Sequence, residues 1–398
     1  MTRAKSSVVF LCLLLAVALC AVPGSYAKEA PGQAKVLKIG LIVSLTGPMA
    51  PGFKSMADAA KPAADVLNKR GGITVKGQKY MVEFVTEDDQ SSPAGAVAAA
   101  NKLMQQGIKF LIPPLFVPSN MAVAPITEEA KILRVKVSGM TKDEIGPNLH
   151  YSFFANSTTY SIGPSYDYLK KNYPGVKRIA IINADDPAAR ILREMTEKEI
   201  QMHGLELVFK DVFKIGTEDY YPILTKGLEK KPDAIDIMFG AEPWAVGIVN
   251  QSRELGFTGP IFASGIFGDI NRVNSMLNPK YAYDVFEAAA DVLSPKMPAI
   301  VKEFRVLVKQ QTKAELDMTQ AMLLEALHIM LQGIQKAQSF DTGKVASTLE
   351  TMKSIDTIWG PGRIGGQEFC GVNHLVRRAI PISRIMKNKV EFELLDRD

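Results

Sequence analysis

From Lys35 onward, short β-branched runs alternate with longer amphipathic segments, and past Asn156 the series starts over once. Strand runs alternating with helical runs imply a parallel sheet whose crossover helices cover its faces. The first series has candidate strands at 37–44, 80–86, 110–112 and 133–137, with helical stretches at 55–69 and 94–106 between them. Gly71, Gly72 and Gly107 close those helices as C-terminal glycines do, and Pro62 is expected to kink the first or to move its start. The second series has strands at 178–183, 205–213, 234–239 and 260–264 and helices at 188–203, 220–230 and 244–255. After Tyr283 the order changes to long helices at 298–311, 319–336 and 342–353, and the chain ends in a hairpin of strands 378–386 and 390–395. Two βα series followed by helices are most simply housed if the chain crosses back to cover the first sheet. The expected fold is therefore α/β, with two doubly wound parallel-sheet lobes joined by a multi-strand hinge. No short repeat or low-complexity tract occurs, which excludes a solenoid.

The first strand empties into a Gly/Pro loop, Ser44-Leu-Thr-Gly-Pro48, and then into an Ala-rich helix. In open α/β sheets that arrangement places a ligand-sized crevice at the carboxyl ends of the strands. Nothing in the loop is catalytic in type.

Arg3 and Lys5 precede an uncharged run from Val8 to Val22 and a Ser25-Tyr26-Ala27 site, the pattern of an export signal cleaved after Ala27. The run has the length of a membrane anchor, but Pro23-Gly-Ser and the cleavage site favour removal. Cys20 offers a lipoprotein alternative, disfavoured by the bulky Leu19 before it. Removing residues 1–27 takes away Cys12 and Cys20 and leaves Cys370 as the one thiol, so the exported chain holds no internal disulfide. A hydrophobic share of 47% is enough to fill two cores instead. The formal charge of +5 falls by two with Arg3 and Lys5, and the remaining bases are interspersed with acids, which argues against a nucleic-acid surface.

Enzyme chemistry fails on its requirements. His150, His203, His328 and His374 are scattered, none lies in a His-Glu-x-x-His helix, and Cys370 is too isolated for zinc. Gly360-Pro-Gly-Arg-Ile-Gly365 matches G-x-G-x-x-G only formally, with Pro361 inside it and no helical run after it, and reads as a return crossover with turn glycines. No Gly-x-Ser-x-Gly elbow or Walker lysine loop occurs. Glu87-Asp-Asp89 and Asp185-Asp186 read more simply as strand-end turn chemistry than as metal ligands, and no cofactor is implied. Asn156-Ser-Thr158 is a glycosylation sequon only in a eukaryotic secretory route.

Several segments, in this order and spacing, carry a resemblance: Lys38-Ile-Gly, Ser44-Leu-Thr-Gly-Pro48, Asn68-Lys-Arg-Gly-Gly-Ile73, Glu87-Asp-Asp89 with Pro93, Ala100-Asn-Lys-Leu, Gly107-Ile-Lys-Phe-Leu-Ile112, Arg178-Ile-Ala-Ile-Ile182 and Ser252-Arg-Glu-Leu-Gly256. Over nearly the whole exported chain the sequence resembles the periplasmic solute-binding proteins of the leucine/isoleucine/valine-binding type, which serve branched-chain amino acid ABC importers. The resemblance implies a Venus-flytrap, type 1 periplasmic-binding fold with three crossovers, a small-molecule ligand between the lobes, a membrane permease as partner and no chemistry by the protein itself. It implies a monomer in the periplasm; a sensory receptor of the same fold is the alternative role. The implied layout is 1–27 as export signal, 36–155 with 288–360 as the first lobe, and 156–287 with 361–398 as the second.

By the same resemblance, Phe53 covers the ligand, and Phe116 and Val117 open a turn that grips its carboxylate together with Ser138, Gly139 and Thr141. Val117 has no hydroxyl, so only its backbone N–H serves there. The second lobe departs further. Where amino-acid binders place a tyrosine the chain has Asn183-Ala-Asp-Asp, with Asp185 facing the cleft, and Ile266 stands where a carboxylate would neutralise a ligand ammonium. Burying an ammonium without that partner costs several kcal/mol. Glu242 is either the replacement or a solvated first-turn helix acid, and Trp244 and Phe267 add ring surface. The expected ligand is a hydrophobic or aromatic carboxylate, or a modified amino acid.

Overall fold

The computed structural model describes residues 34–395 except 140, 141, 157, 186, 239 and 267. Residues 34–395 fall in one compact unit, and no helix among the described residues is long and apolar enough to cross a membrane.

Strands β1 (Lys35–Val43), β2 (Ile73–Val75), β3 (Gln78–Asp88), β4 (Phe110–Ile112), β5 (Leu133–Lys136) and β6 (Ser152–Phe154) come first. They are followed by β7 (Arg178–Ala184), β8 (Glu206–Phe213), β9 (Ala234–Asp236), β10 (Ile261–Ala263) and β11 (Val285–Glu287). The chain ends with β12 (Ile355–Thr357), β13 (Gly360–Gly365), β14 (Leu375–Arg378), β15 (Ile380–Met386) and β16 (Lys389–Leu395). One sheet has the order β12-β13-β14-β6-β5-β4-β1-β3-β2, the other β16-β15-β11-β10-β9-β7-β8. Each has a parallel core that reverses direction of winding once, between β1 and β4 in the first and between β7 and β9 in the second. Those reversals are the switch points at which a doubly wound sheet opens a crevice beyond its strand ends.

Alternating residues fill opposite faces. In β7, Ile179 and Ile181 belong to one apolar cluster, and Ala180 and Ile182 to another. In the first sheet Ile39 and Leu41 pack against the helices Ala299–Thr312 and Met318–Ala337, through Phe304, Leu324 and Leu327. The chain does cross back to cover the first sheet with its late helices. It passes between sheets three times: after β6, after β11, and at Ala379 between β14 and β15.

Two expectations are corrected. Gly360–Gly365 is a strand, antiparallel to both β12 and β14, and not a loose crossover. Consequently residues 361–398 do not all belong to the second lobe: β13 and β14 extend the first sheet, and only β15 and β16 join the second. Cross-strand pairing supplies what the glycines lack in propensity. Pro62 acts as expected, since the first helix is broken into Ala50–Asp58 and Ala60–Lys69.

Candidate functional site

The expected site residues that the structure describes lie at or just beyond the carboxyl ends of parallel strands. On the first lobe the loop after β1 is shaped by the acids read as turn formers. Asp88 accepts from the backbone N–H of Leu45 at 2.9 Å and from the Thr46 hydroxyl at 2.6 Å, and Asp89 accepts from Ser44 Oγ at 2.6 Å. Burial opposes it, yet these bonds hold the Asp88 carboxyl below its ordinary value. Gly47 turns the loop at a φ of 85°, where a Cβ would sit 2.7 Å from Ser91 Oγ. The loop leads into Ala50–Asp58, whose Phe53 is half-buried against the first-lobe core.

Beyond β4, Phe116 caps the helix Val117–Glu129 without a side-chain bond, and Pro118 occupies its first turn. The N–H groups of Val117 and Ser119 have no acceptor within the helix, as at any helix start. Ser119 is fully buried, and its Oγ has no hydrogen-bond partner among the described residues. Beyond β5, Ser138 is buried, and Gly139 donates its N–H to the Asn156 carbonyl at 3.0 Å. A Cβ on Gly139 would lie 1.9 Å from the Phe154 ring, so the position admits no side chain. Thr141 and Phe267 lie outside the described residues.

On the second lobe the turns after β9 and β10 are zipped together: Gly265 N–H donates to the Met238 carbonyl at 2.6 Å and Gly240 N–H to the Ile266 carbonyl at 3.0 Å. Asp236, fully buried at the end of β9, anchors both. It accepts from Tyr166 Oη at 2.7 Å, from Met238 N–H at 2.6 Å and from Ser264 N–H at 3.0 Å, and Met238 is held at a φ of 61°. Burial pushes the Asp236 carboxyl up to about 6, although these bonds pull the other way.

The wall these turns carry divides into used and available groups. Glu242 Oε1 is 3.4 Å from Arg272 Nη1 and its carboxyl lies over Gly268, so this acid is engaged within its own lobe. Asp185 is exposed and its carboxylate is bound to Arg190 at 2.9 Å. Trp244 packs edge to face on Phe213, ring centres 5.5 Å apart, and Phe213 on Tyr220 at 5.0 Å, an aromatic wall of which only Trp244 was foreseen. Ile266 is half-buried and packs on the cluster that runs from the first lobe into the second crossover. Ser119 and Asp236 were not singled out from sequence. For the first, the available signal was its place in the turn 116–120 that the resemblance gave as the carboxylate grip, and for the second a lone acid inside an apolar run. Among the described residues no three His, Cys, Asp or Glu side chains assemble as a metal site.

The profile of the periplasmic binding protein family matches residues 36–387. A Leu/Ile/Val-binding protein homolog of Brucella melitensis is 28% identical over 332 residues, covering 81% of this chain and 86% of that protein. The crystal structure of a branched-chain amino acid transporter substrate-binding protein from Streptococcus pneumoniae, bound to isoleucine, has a TM-score of 0.71 at 20% identity, covering 91% of this chain and 99% of that one. A solute-binding protein of an ABC transporter from R. palustris, bound to 4-hydroxybenzoate, has a TM-score of 0.70 at 19% identity, covering 91% and 96%. The two lobes and the three crossovers are thus those of a known architecture: the chain belongs to the periplasmic binding protein family, a family of solute-binding proteins and not of enzymes, and has the type 1 fold.

Proposed function

We propose that this protein is the exported solute-binding component of an ABC importer, and that its ligand is a small carboxylate with a hydrophobic or aromatic remainder. The observation that carries the ligand reading is Glu242. It was the candidate replacement for the missing ammonium partner, and it is paired with Arg272 instead. Ile266 offers no charge beside it, while the half-buried Trp244, backed by the buried Phe213, offers ring surface. The carboxylate end is supported by the uncapped start of Val117–Glu129 and the partnerless Ser119 hydroxyl. Solved relatives of the same fold bind isoleucine in one case and 4-hydroxybenzoate in another, so the architecture accommodates a carboxylate with or without an ammonium.

A thermal-shift panel tests the reading, because a ligand that binds only the folded state raises the melting temperature by mass action. Benzoates are expected to raise it and leucine, isoleucine and valine to leave it unchanged, in wild type and in Glu242→Gln alike. A shift with leucine that Glu242→Gln abolishes would restore Glu242 as the ammonium partner and overturn the proposal.

A further inference from the structure

Strand β5 is the strand of the first sheet that buries two cations. A parallel strand covered on both faces reads as an apolar run, yet β5 is Leu133-Arg-Val-Lys136, buried throughout, with Arg134 and Lys136 each 2% exposed. Leu133 and Val135 enter the first-lobe core, which leaves the two cations on the opposite face. Uncompensated, each would cost several kcal/mol to bury.

The compensation has a definite geometry. Lys136 Nζ bonds the Glu144 carboxylate, which is itself buried. The same Glu144 oxygen accepts from Asn120 Nδ2 at 3.0 Å, and Asn120 Oδ1 accepts from Arg134 Nη1 at 3.2 Å. Arg134 Nη2 bonds Ser152 Oγ on β6. Burial lowers Arg134 to about 10, which leaves it charged at neutral pH. In chain order, Lys136 stands immediately before the Ser138–Gly139 turn and Glu144 ends the short 3₁₀ turn Lys142–Glu144 just after it, so their pair closes the base of that loop. Asn120 lies in the first turn of Val117–Glu129, one residue past Ser119, so its amide ties the loop to the helix start.

We propose that Lys136, Glu144 and Asn120 are positioning residues for ligand capture: a buried staple that holds the Ser138–Gly139 turn and the start of Val117–Glu129 in one fixed relation. The inference rests on reading those two elements as the carboxylate grip. A grip assembled before the ligand arrives spends no binding energy on ordering its loops.

The test uses the full exported chain and the double variant Lys136→Met/Glu144→Leu. Replacing both partners of a buried ion pair by apolar residues is often neutral or stabilising, so the variant folds where a single charge removal leaves a buried ion alone. Its melting temperature is expected to stay within about 3 °C of wild type. Amide exchange in segments 137–144 and 115–120 is expected to accelerate together, by about tenfold or more, while the strands of the second sheet keep wild-type rates. Affinity for 4-hydroxybenzoate is expected to fall by about tenfold or more, and Lys136→Arg, which keeps the charge pair, to retain slow exchange in both segments. Exchange unchanged in a folded double variant, or faster in only one of the two segments, overturns the staple. The exchange measurement needs no ligand. Failure of wild type to bind any benzoate therefore counts against the proposed ligand class and leaves the staple to be decided by exchange.

Discussion

Asp236 is the residue whose chemistry reaches furthest beyond itself. Its carboxylate organises two cleft turns through Met238 and Ser264 and takes the Tyr166 hydroxyl from the helix Thr158–Asn172. The price of burying it shows in a value of about 6 against an ordinary 3.8. Because the folded value is the higher one, its contribution to stability is whole below about pH 3.8 and is lost as pH rises through about 6. Urea denaturation of wild type and Asp236→Asn is expected to show the difference between them shifting against wild type from pH 4 to pH 7, by on the order of 3 kcal/mol. A difference that does not change with pH contradicts the assignment.

At the scale of elements, the start of Val117–Glu129 is the part of the first lobe best suited to an anion. Ser119→Ala removes a buried hydroxyl that has no described protein partner to lose. It is expected to leave the denaturation midpoint unchanged while weakening a carboxylate ligand by about 1–2 kcal/mol in a direct titration. Equal loss of stability and affinity would make Ser119 a packing residue. Long periodic helices such as Met318–Ala337 were legible in the sequence to within a residue or two. The strands β6 and β11, three residues each, lie outside the runs expected as strands. β13 was hidden by its glycines and exists through its neighbours on both sides. The choice of Phe53, Phe116, Ser138 and Glu242 came from the resemblance, which the βα pattern alone does not supply. What each side chain bonds came from neither, since the Glu242 to Arg272 pair joins residues from separate elements.

At the scale of the whole molecule, three crossovers join the two sheets. The last is a single residue, Ala379, between Arg378 on the first sheet and Ile380 on the second. Arg378 is fixed there by the buried Glu325, Nε to Oε1 at 2.8 Å, and Trp359 Nε1 donates to the same carboxylate at 2.7 Å. Arg378→Met strands that carboxylate without its cation and is expected to cost about 3–5 kcal/mol by chemical denaturation. A cost below about 1 kcal/mol would remove Arg378 as an anchor of the hinge.

The trap proposed above takes a carboxylate and has no site for an ammonium. Isothermal titration of the exported chain with 4-hydroxybenzoate and, separately, with leucine tests it most directly. One 4-hydroxybenzoate bound per chain and no heat of binding with leucine are expected; tight binding of leucine with none of 4-hydroxybenzoate would overturn the proposed ligand class.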